Sequence, residues 1–254
     1  MGFGKRVNIL GCSIDNMTMS ETIEKIDELI KQGGVHQHVV VNVDKLIKLR
    51  SNKKLRKIIS NCDIINADGM PIVWVSSLFG SRIKERVTGI DLMENLIKHA
   101  SQKGYRPFFF GARKPVVERV VQIYRNKYPE LKIAGYRDGY WKLDEEKDVA
   151  KFIKDSKPDV LFVAISSPKK EVFLNKYLYY MKVPFVMGVG GSFDVIARVA
   201  KRAPKWMQDR GLEWLYRLVQ EPKRMWKRYL IGNSIFVYKV IKELIKIKYK
   251  RFFK

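Results

Sequence analysis

Five short clusters of polar residues and glycines each follow an apolar run that is typical of a β-strand, at residues 42–44, 66–71, 111–112, 166–171 and 188–194. In an open parallel sheet, ligands bind beyond the carboxyl ends of the strands. We therefore expect these clusters to lie at one edge of a sheet and to form a binding site.

Asp68 is the candidate general base within the second cluster. Its carboxylate follows the strand-like pair Ile64-Ile65 and lies in a predicted tight turn that is flanked by Gly69 and Pro71. A short side chain in such a turn can be aimed at a substrate proton with little conformational freedom. A turn carboxylate that hydrogen-bonds its own backbone is the alternative interpretation.

The glycine run at 188–191 does not match the dinucleotide fingerprint G-x-G-x-x-G, because Phe193 stands where the third glycine is required. Backbone N–H groups in a glycine run can still approach a phosphate closely. The run therefore predicts a nucleotide contact, and a plain tight turn is the alternative.

No two aspartates stand two residues apart, and no set of His, Cys and Asp is clustered along the chain. The sequence therefore predicts no metal site. If phosphates are bound, positive charge must come from backbone amides, lysines and arginines. The candidate arginines are Arg86, Arg202, Arg217, Arg224 and Arg228. For each of them, a solvated surface charge is the alternative interpretation.

The three histidines and the two cysteines are not spaced for catalysis. His36 and His38 are expected just before a strand and His99 within a helix, with no acid or nucleophile placed to form a relay. Cys12 and Cys62 have no metal-ligand spacing. We expect exposed or core histidines and buried structural cysteines.

Short apolar runs alternate with longer helical patterns up to about residue 200. The predicted strands are 7–10, 39–43, 64–66, 108–110, 132–134, 160–165 and 185–189. The predicted helices are 20–31, 45–61, 89–103, 115–127, 145–155 and 169–181. Several strands are apolar on both faces, which is typical of a parallel sheet covered on both sides. The alternation predicts an α/β fold with right-handed crossovers.

Residues 201–254 carry sixteen Lys and Arg against four Asp and Glu, a surplus of twelve within the chain's formal net charge of +24. Aromatic residues are interspersed among these charges. Such a segment favours an anionic surface that also accepts apolar rings. Nucleic acid and the face of an anionic membrane both qualify.

Residues 236–245 place apolar side chains at helical spacing with lysines on the opposite side, which predicts a cationic amphipathic helix. Such a helix contacts a membrane surface or a second copy in a homo-oligomer; alternatively, it packs on the domain with its lysines in solvent. No stretch reaches the roughly 18 uninterrupted apolar residues that a spanning helix needs. We therefore expect a protein that does not span a membrane.

Several motifs occur together in an order that is specific to a family. They are Asn66-Ala-Asp-Gly-Met-Pro71, Val87-Thr-Gly-Ile-Asp91, Phe110-Gly-Ala112, Ser167-Pro-Lys-Lys-Glu171, Gly188-Val-Gly-Gly-Ser-Phe-Asp194, Arg202-Ala-Pro204 and Gly211-Leu-Glu-Trp-Leu-Tyr-Arg-Leu218. On these motifs, residues 7–229 resemble the WecG/TagA/CpsF family of bacterial glycosyltransferases.

The resemblance implies a Rossmann-like catalytic core at residues 1–200 and a basic, aromatic, helical appendage at residues 201–254 that docks on the membrane. It implies inverting, metal-independent transfer of a sugar from a UDP-sugar to a polyprenyl-diphosphate-linked sugar, without a cofactor. The product would enter a bacterial cell-surface polysaccharide or teichoic acid. The enzyme would be peripheral at the cytoplasmic face of the cell membrane and would not bind nucleic acid.

The resemblance also implies roles for individual residues. Asp68 matches the family's base, Asn42 its acceptor-side asparagine and Arg86 a phosphate-side arginine. Further substrate-binding residues are expected at Thr88, Gly111, Tyr136, Lys169, Lys170, Glu171, Gly188, Gly190, Gly191, Asp194, Arg202, Arg217 and Arg224.

The chain departs from the family's teichoic-acid subgroup at two positions near the expected sugar pocket. Val40 stands in place of a threonine, and Lys170 stands in place of a glutamine. The lost hydroxyl and the added cation leave the donor open between N-acetylmannosamine, glucose and a uronic acid.

Two other classes of protein fit part of the residue pattern. A basic nucleic-acid-binding α/β protein would account for the charge and the aromatics, but not for polar clusters at strand ends. A nucleotide-dependent oxidoreductase would account for the α/β pattern, but not for the missing fingerprint or the basic tail.

Overall fold

A computed structural model describes residues 5–80 and 82–252, apart from the side chains of residues 143, 224, 228 and 250–252. The strands are β1 (Val7–Ile9), β2 (Cys12–Ile14), β3 (His36–Val41), β4 (Ile64–Ala67), β5 (Pro107–Gly111), β6 (Gly135–Arg137), β7 (Val160–Ala164) and β8 (Phe185–Gly188). Strands β3 to β8 form one parallel sheet in the order β4-β3-β8-β7-β5-β6, whereas β1 and β2 form a separate antiparallel hairpin. The predicted α/β fold with a mostly parallel, Rossmann-like sheet is confirmed.

Helices connect the strands and form the last part of the described chain. They are α1 (Met19–Gln32), α2 (Val43–Ser51), α3 (Lys53–Ser60), α4 (Met70–Ser76), α5 (Gly89–Lys103), α6 (Lys114–Lys127), α7 (Glu146–Asp155), α8 (Lys169–Met181), α9 (Ser192–Ile196), α10 (Lys205–Asp209), α11 (Glu213–Gln220), α12 (Pro222–Trp226) and α13 (Gly232–Phe252). A π-helical turn at Lys227–Ile231 joins α12 to α13.

Helices cover both faces of the main sheet because both faces are apolar. Phe109 and Phe162 pack with residues of α1, α5 and α6 on one face. Phe108 and Phe110 pack with residues of α7 and α8 on the other. Every residue of β5 and β7 is buried, which explains the two-sided apolar runs in the sequence.

Two predicted boundaries differ because asparagines start new helices. The predicted helix 45–61 is divided into α2 and α3, since the Asn52 side chain accepts a hydrogen bond from Leu55 N at 2.9 Å. The predicted strand 39–43 ends at residue 41, because the Asn42 side chain accepts from Lys45 N at 3.0 Å and caps α2.

Strand β3 begins earlier than predicted and contains both histidines that were expected to precede it. The predicted strand 132–134 is wrong, and β6 lies three residues later. Ala134 N donates to Pro107 O at 2.9 Å, and Pro107 is the first residue of β5. Residues before Ala134 therefore have no strand beside them.

The predicted strand 7–10 is one arm of the hairpin, whose second arm, β2, was missed. Leu10 and Gly11 have φ values of 52° and 81°, as a two-residue type I′ turn requires. Asp15, directly after β2, donates its N–H to Ile65 O at 2.8 Å and accepts from Ile65 N at 2.7 Å. The hairpin thereby covers the β4 edge of the main sheet.

The chain after β8 is helical, as predicted. Helix α13 packs against α2 and buries Phe236 and Val240. Val237, Ile241 and Ile245 stay more than half exposed, at 53%, 52% and 55%. The final helix thus packs on the domain and also presents apolar side chains to solvent. Within the described residues, no helix combines the length and apolar character needed to cross a membrane.

Gly111 is required by the close approach of two strands. Its φ is +124°, and a Cβ at this position would lie 2.4 Å from Ala164 O. We predict that Gly111→Ala lowers the free energy of unfolding by about 3 kcal/mol or more, because it combines backbone strain with a backbone clash. Urea denaturation followed by circular dichroism measures this loss.

Gly104→Ala is the matched control. Gly104 also has a positive φ, +74°, but an added Cβ would meet no atom within 4 Å. We expect it to cost about 1–2 kcal/mol, from the left-handed backbone alone. Equal losses in the two variants would contradict the clash at Gly111.

Candidate active site

The polar clusters lie along one edge of the main sheet, because its six strands are parallel and each cluster follows a strand. In spatial order, Asp68 follows β4, Asn42 follows β3, Gly190 follows β8, Lys169 follows β7 and Gly111 ends β5. The expected shared edge is confirmed, and the first three of these residues follow adjacent strands.

The topology of the sheet has a switch point between the neighbouring strands β3 and β8. The chain leaves β3 toward one face of the sheet and leaves β8 toward the opposite face, which is where open α/β sheets bind ligands. Gly190 has a φ of +56°, and an added Cβ at Gly190 or Gly191 would meet no atom within 4 Å. This glycine backbone therefore borders open space, where its N–H groups can approach a phosphate.

Asp68 lies between the end of β4 and the start of α4. Its backbone N–H donates to Val41 O at 2.9 Å, which holds it beside β3. The tight turn predicted around Asp68 is a two-residue connection, Asp68-Gly69, because β4 ends at Ala67 and α4 begins at Met70 with Pro71 in its first turn. In the described part of the chain, no group donates a hydrogen bond to the Asp68 carboxylate, so the self-bonded turn is not observed.

Four charged side chains act on this carboxylate. Burial raises the pKa of Asp68 from its ordinary 3.8 to about 6, while Arg217, Arg86 and Lys45 oppose that shift. The Glu213 carboxylate acts with burial and raises the pKa further. A carboxylate with a pKa close to neutral is suited to accept a proton at neutral pH.

Glu213 joins two of these arginines. Arg86 Nη1 lies 3.3 Å from Glu213 Oε2, and Arg217 Nη2 lies 3.2 Å from Glu213 Oε1. Arg86 precedes α5, whereas Glu213 and Arg217 lie on α11, beyond residue 200. The Arg86 and Glu213 side chains are only 15% and 14% exposed. Residues from the basic tail therefore form part of the surroundings of Asp68.

Arg202 and Thr88 both donate hydrogen bonds to a second carboxylate, that of Asp91. Arg202 forms a bidentate ion pair with Asp91, with Nη1–Oδ1 at 2.6 Å and Nη2–Oδ2 at 2.7 Å. Thr88 caps α5 by accepting from Asp91 N at 3.2 Å, and its hydroxyl donates to Asp91 Oδ2 at 2.6 Å. Arg202 Nε is 3.9 Å from Glu213 Oε1. Through Glu213, the ion pair between Arg202 and Asp91 is therefore connected to the charged groups around Asp68.

Lys170 and Glu171 are buried against the end of β8. Lys170 Nζ is 3.7 Å from Glu171 Oε1, and Lys45 Nζ is 3.3 Å from the same oxygen. A Cβ at Gly188 would lie 2.7 Å from Lys170 Cε and Nζ, so a larger residue at this position would force the end of the lysine to shift. Burial lowers the pKa of Lys170 to about 8. The ammonium is therefore turned inward, toward a carboxylate.

Three of the expected site residues are on strands farther from β4 or follow those strands, namely Lys169, Gly111 and Tyr136. Lys169 Nζ stands 3.7 Å from the centroid of the Trp141 ring. Tyr136 is on β6, at the opposite edge of the sheet, and lines a cavity of about 350 Å³. Four strands separate β6 from β4, so at about 4.8 Å per strand Tyr136 lies roughly 24 Å from Asp68. These three residues are not brought beside the candidate base.

Asp194 lies in the first turn of α9, where its backbone carbonyl accepts from Val199 N at 2.8 Å and Ala200 N at 3.0 Å. The side chains of Arg224 and Arg228 lie outside the described part of the structure. Among residues 5–80 and 82–252, no three His, Cys, Asp or Glu side chains converge so that they could hold a metal ion.

Asn66 ties β4 to the core. His38 Nε2 lies 2.9 Å from Asn66 Oδ1, and Asn66 Nδ2 donates to Thr22 Oγ1 at 3.3 Å. Burial lowers the pKa of His38 to about 4, so it is a neutral core histidine, as expected. Cys12 and Cys62 are free and buried, which confirms their structural interpretation.

Residues 7–250 match the sequence model of the glycosyl transferase WecG/TagA/CpsF family. The chain belongs to this family. It is a glycosyltransferase, so the enzyme class and the family that the motifs predicted are both confirmed.

Three similar enzymes share one name, N-acetylglucosaminyldiphosphoundecaprenol N-acetyl-beta-D-mannosaminyltransferase. The protein from Bacillus spizizenii strain W23 is 38% identical over 192 residues, which cover 76% of this chain and 74% of that protein. The protein from Bacillus subtilis strain 168 is 40% identical over 173 residues, 68% of this chain and 66% of that protein. The protein from Staphylococcus aureus strain MW2 is 32% identical over 245 residues, 96% of this chain and 95% of that protein.

Sequence reasoning missed three charged residues of this glycosyltransferase, Glu213, Lys45 and Asp91. Glu213 stands four residues before Arg217, at the spacing of a helical ion pair, which is the signal that could have revealed it. Asp91 lies three residues after Thr88, as in a helix cap. Lys45 gave no local signal, because its contact with Glu171 spans 126 residues.

The raised pKa of Asp68 has a consequence for stability. Between about pH 4 and pH 6 the native state holds a proton that the unfolded chain releases, so stability falls as the pH rises through this window. Asparagine at this position removes that loss. We predict that Asp68→Asn is more stable than the wild type by about 1–2 kcal/mol at pH 8 and not at pH 4, measured by urea denaturation at both pH values.

Asp209→Asn is the matched control. It removes the same charge from a side chain that is 58% exposed and paired with Lys205 on the surface. We expect a change below about 0.5 kcal/mol at either pH. An equally small effect of Asp68→Asn at pH 8 would show that Asp68 is an ordinary solvated carboxylate.

Proposed function

We propose that this enzyme transfers a sugar from a UDP-sugar to a polyprenyl-diphosphate-linked sugar with inversion, and that Asp68 is the general base. The observation that carries this proposal is the Asp68 carboxylate itself, at the carboxyl edge of the sheet. Its pKa is raised to about 6 beside arginines from the core and from the tail. A base and cations together provide what glycosyl transfer to an alcohol needs.

In the proposed reaction, Asp68 takes the proton of the acceptor hydroxyl while that oxygen attacks the anomeric carbon of the donor. The bond from that carbon to the UDP oxygen breaks on the opposite side, which inverts the configuration. Asp68 ends protonated, and UDP leaves with the bonding electron pair. Asn42 is the proposed acceptor contact, since its Cβ is 3.9 Å from the position that a Cβ on Gly69 would take, directly after the base.

The negative charge on departing UDP is proposed to be stabilised by Arg86, Arg217 and the backbone N–H groups at Gly190 and Gly191. Hydrogen bonds from guanidinium groups to phosphate are charge-assisted and can be bidentate. Because these groups can supply the positive charge that a phosphate leaving group requires, we propose that the reaction does not depend on a metal ion.

N-acetylmannosamine is the donor sugar that we place first, and lipid-diphosphate-linked N-acetylglucosamine the acceptor, because the similar enzymes are named for this transfer. At the two positions where the chain departs from the teichoic-acid subgroup, the side chains of Lys170 and Val40 lie against other groups of the protein. Lys170 is 6% exposed and lies against Glu171. Val40 lies under the start of α5, 3.6 Å from the Cβ position of Gly89. Glucose and a uronic acid are the donors to compare.

We propose that residues 201–254 form an appendage that docks the catalytic core, residues 1–200, on the cytoplasmic face of the membrane. The support is on α13, where Ile241 and Ile245 are more than half exposed among Lys239, Lys242 and Lys246. Each lysine near an anionic surface contributes about 1 kcal/mol of attraction. A lipid-linked acceptor stays at the bilayer, so the core must be held there.

We predict that Asp68→Asn lowers turnover by about 10²–10⁴-fold while UDP binding persists, because a general base typically contributes that factor. UDP release is measured across UDP-N-acetylmannosamine, UDP-glucose and a UDP-uronic acid, with a synthetic lipid-diphosphate acceptor. UDP binding is measured by calorimetry on the same protein.

Asp209→Asn serves as the control and is expected to turn over like the wild type, because its carboxylate lies on the surface. The wild-type assay is repeated with EDTA, where unchanged turnover is expected. Near-normal turnover of Asp68→Asn would remove the base assignment. Activity lost to EDTA and restored by Mg²⁺ would contradict metal independence.

For membrane docking, we predict that Ile241→Glu weakens binding to vesicles containing anionic lipid by at least about tenfold. The variant loses an apolar contact and adds a charge that an anionic surface repels. Sedimentation of the full-length protein with vesicles of phosphatidylcholine and phosphatidylglycerol measures the change.

Tyr179→Glu is the matched control, since it places the same charge at a 76% exposed position on α8, in the core. It should bind vesicles like the wild type. If Ile241→Glu left vesicle binding unchanged and instead lowered the mass in sedimentation equilibrium, the exposed row on α13 would be a contact between two copies of the chain.

A further inference from the structure

Glu213 stands at the centre of a group of arginines. Its Oε2 is 3.3 Å from Arg86 Nη1, and its Oε1 is 3.2 Å from Arg217 Nη2 and 3.9 Å from Arg202 Nε. Arg86 and Arg202 are 15% and 19% exposed, and Glu213 is 14% exposed. One partly buried carboxylate therefore lies within 4 Å of three guanidinium groups.

Three guanidinium groups held this close together, and partly withdrawn from water, repel one another. A carboxylate among them offsets the repulsion and fixes their directions through hydrogen bonds. Asp91 does this for Arg202 by a bidentate pair. For Arg86 and Arg217, the described contacts that fix the guanidinium groups are those with Glu213.

We propose that Glu213 is a positioning residue for the transfer reaction, which keeps Arg86 of the core and Arg217 of the appendage facing the Asp68 carboxylate. This inference rests on the proposed function, because it gives those arginines their role in the reaction. Glu213 itself touches no reacting atom in this scheme. It acts through the groups that it holds.

The charges that face Asp68 come from three elements. Arg217 and Glu213 lie on α11, Arg86 precedes α5, and Lys45 lies on α2. Of these four groups, only Glu213 raises the pKa of Asp68, while the three cations lower it. Removing only the charge of Glu213 would lower the pKa of Asp68. Releasing Arg217 and Arg86 as well would raise that pKa, because Arg217 acts on Asp68 more strongly than Glu213 does.

The test is Glu213→Gln in the full-length protein, which keeps the shape of the side chain and removes its charge. Because released arginines no longer lower the pKa of Asp68, we expect the acidic limb of the pH profile of kcat/KM to move up by about 0.5 pH unit or more. We also expect kcat at pH 8 to fall about tenfold or more, with a smaller change in KM for the UDP-sugar, because the arginines lose their anchor. Glu213→Asp, which keeps the charge, should recover part of kcat.

A second readout does not need turnover. The midpoint of Asp68 is followed by NMR of the ¹³C-labelled carboxyl carbon, assigned by its loss in Asp68→Asn, and should rise in Glu213→Gln. Asp209→Asn is the control, because it removes one negative charge from the solvent-exposed part of the same appendage and should leave both the midpoint and kcat unchanged.

A midpoint and an acidic limb that both stay unchanged or move down would overturn the inference, even if kcat fell, because the arginines would then still be held beside Asp68 without Glu213. If Glu213→Gln did not fold, the same two readouts in Glu213→Asp would decide it, since the shorter side chain moves the charge away from the arginines. Failure of the wild type to release UDP from any donor would refute the proposed function, while the NMR midpoint would still report the coupling between Glu213 and Asp68.

Discussion

The balance between burial and charge at the Asp68 carboxylate determines the design of the site. Burial raises the pKa of Asp68, and a carboxyl group that is protonated cannot take a proton. Strong cation pairing alone would lower its pKa so far that it would be a weak base. The pKa of about 6 results from burial and Glu213, which raise it, acting against Arg217, Arg86 and Lys45, which lower it. Each of these groups must therefore be held at a fixed place around the carboxylate.

The scaffold holds the carboxylate through its backbone. Asp68 N–H bonds to Val41 O, which makes the base an extension of the ladder between β4 and β3. On the outer side of β4, Asp15 pairs with Ile65. Within the sheet, Asn66 is anchored through His38 and Thr22. A strand supported on both edges and from within gives a side chain at its end little room to move, which is what a proton-transfer geometry requires.

The features that depend on local sequence pattern could be predicted from the sequence. Apolar runs of strand length, each followed by a polar cluster, were sufficient to predict that Asn42, Asp68 and Gly190 share one edge, because all strands of the sheet are parallel. Arg86 and Glu213 are 127 positions apart in the sequence, so no local sequence pattern predicts their contact. Lys170 shows the same limit, since pattern alone predicts a cation near the pocket and cannot show that its ammonium turns inward toward a buried carboxylate.

The tail serves the site and the proposed membrane contact through different residues. Arg202 and Arg217 form ion pairs with Asp91 and Glu213, so their charge is largely compensated by neighbouring carboxylates and adds little to attraction at a distance. The charge surplus of residues 201–254 that can act on an anionic surface must therefore come mainly from other cations, among them the lysines of α13. Because α11 contacts the catalytic core and α13 presents exposed apolar side chains, docking of the tail would place the base at the membrane surface, where a lipid-borne hydroxyl is found. A free core in solution would meet that hydroxyl only rarely, which gives a physical reason why one segment would hold both the proposed membrane contact and the arginines near Asp68.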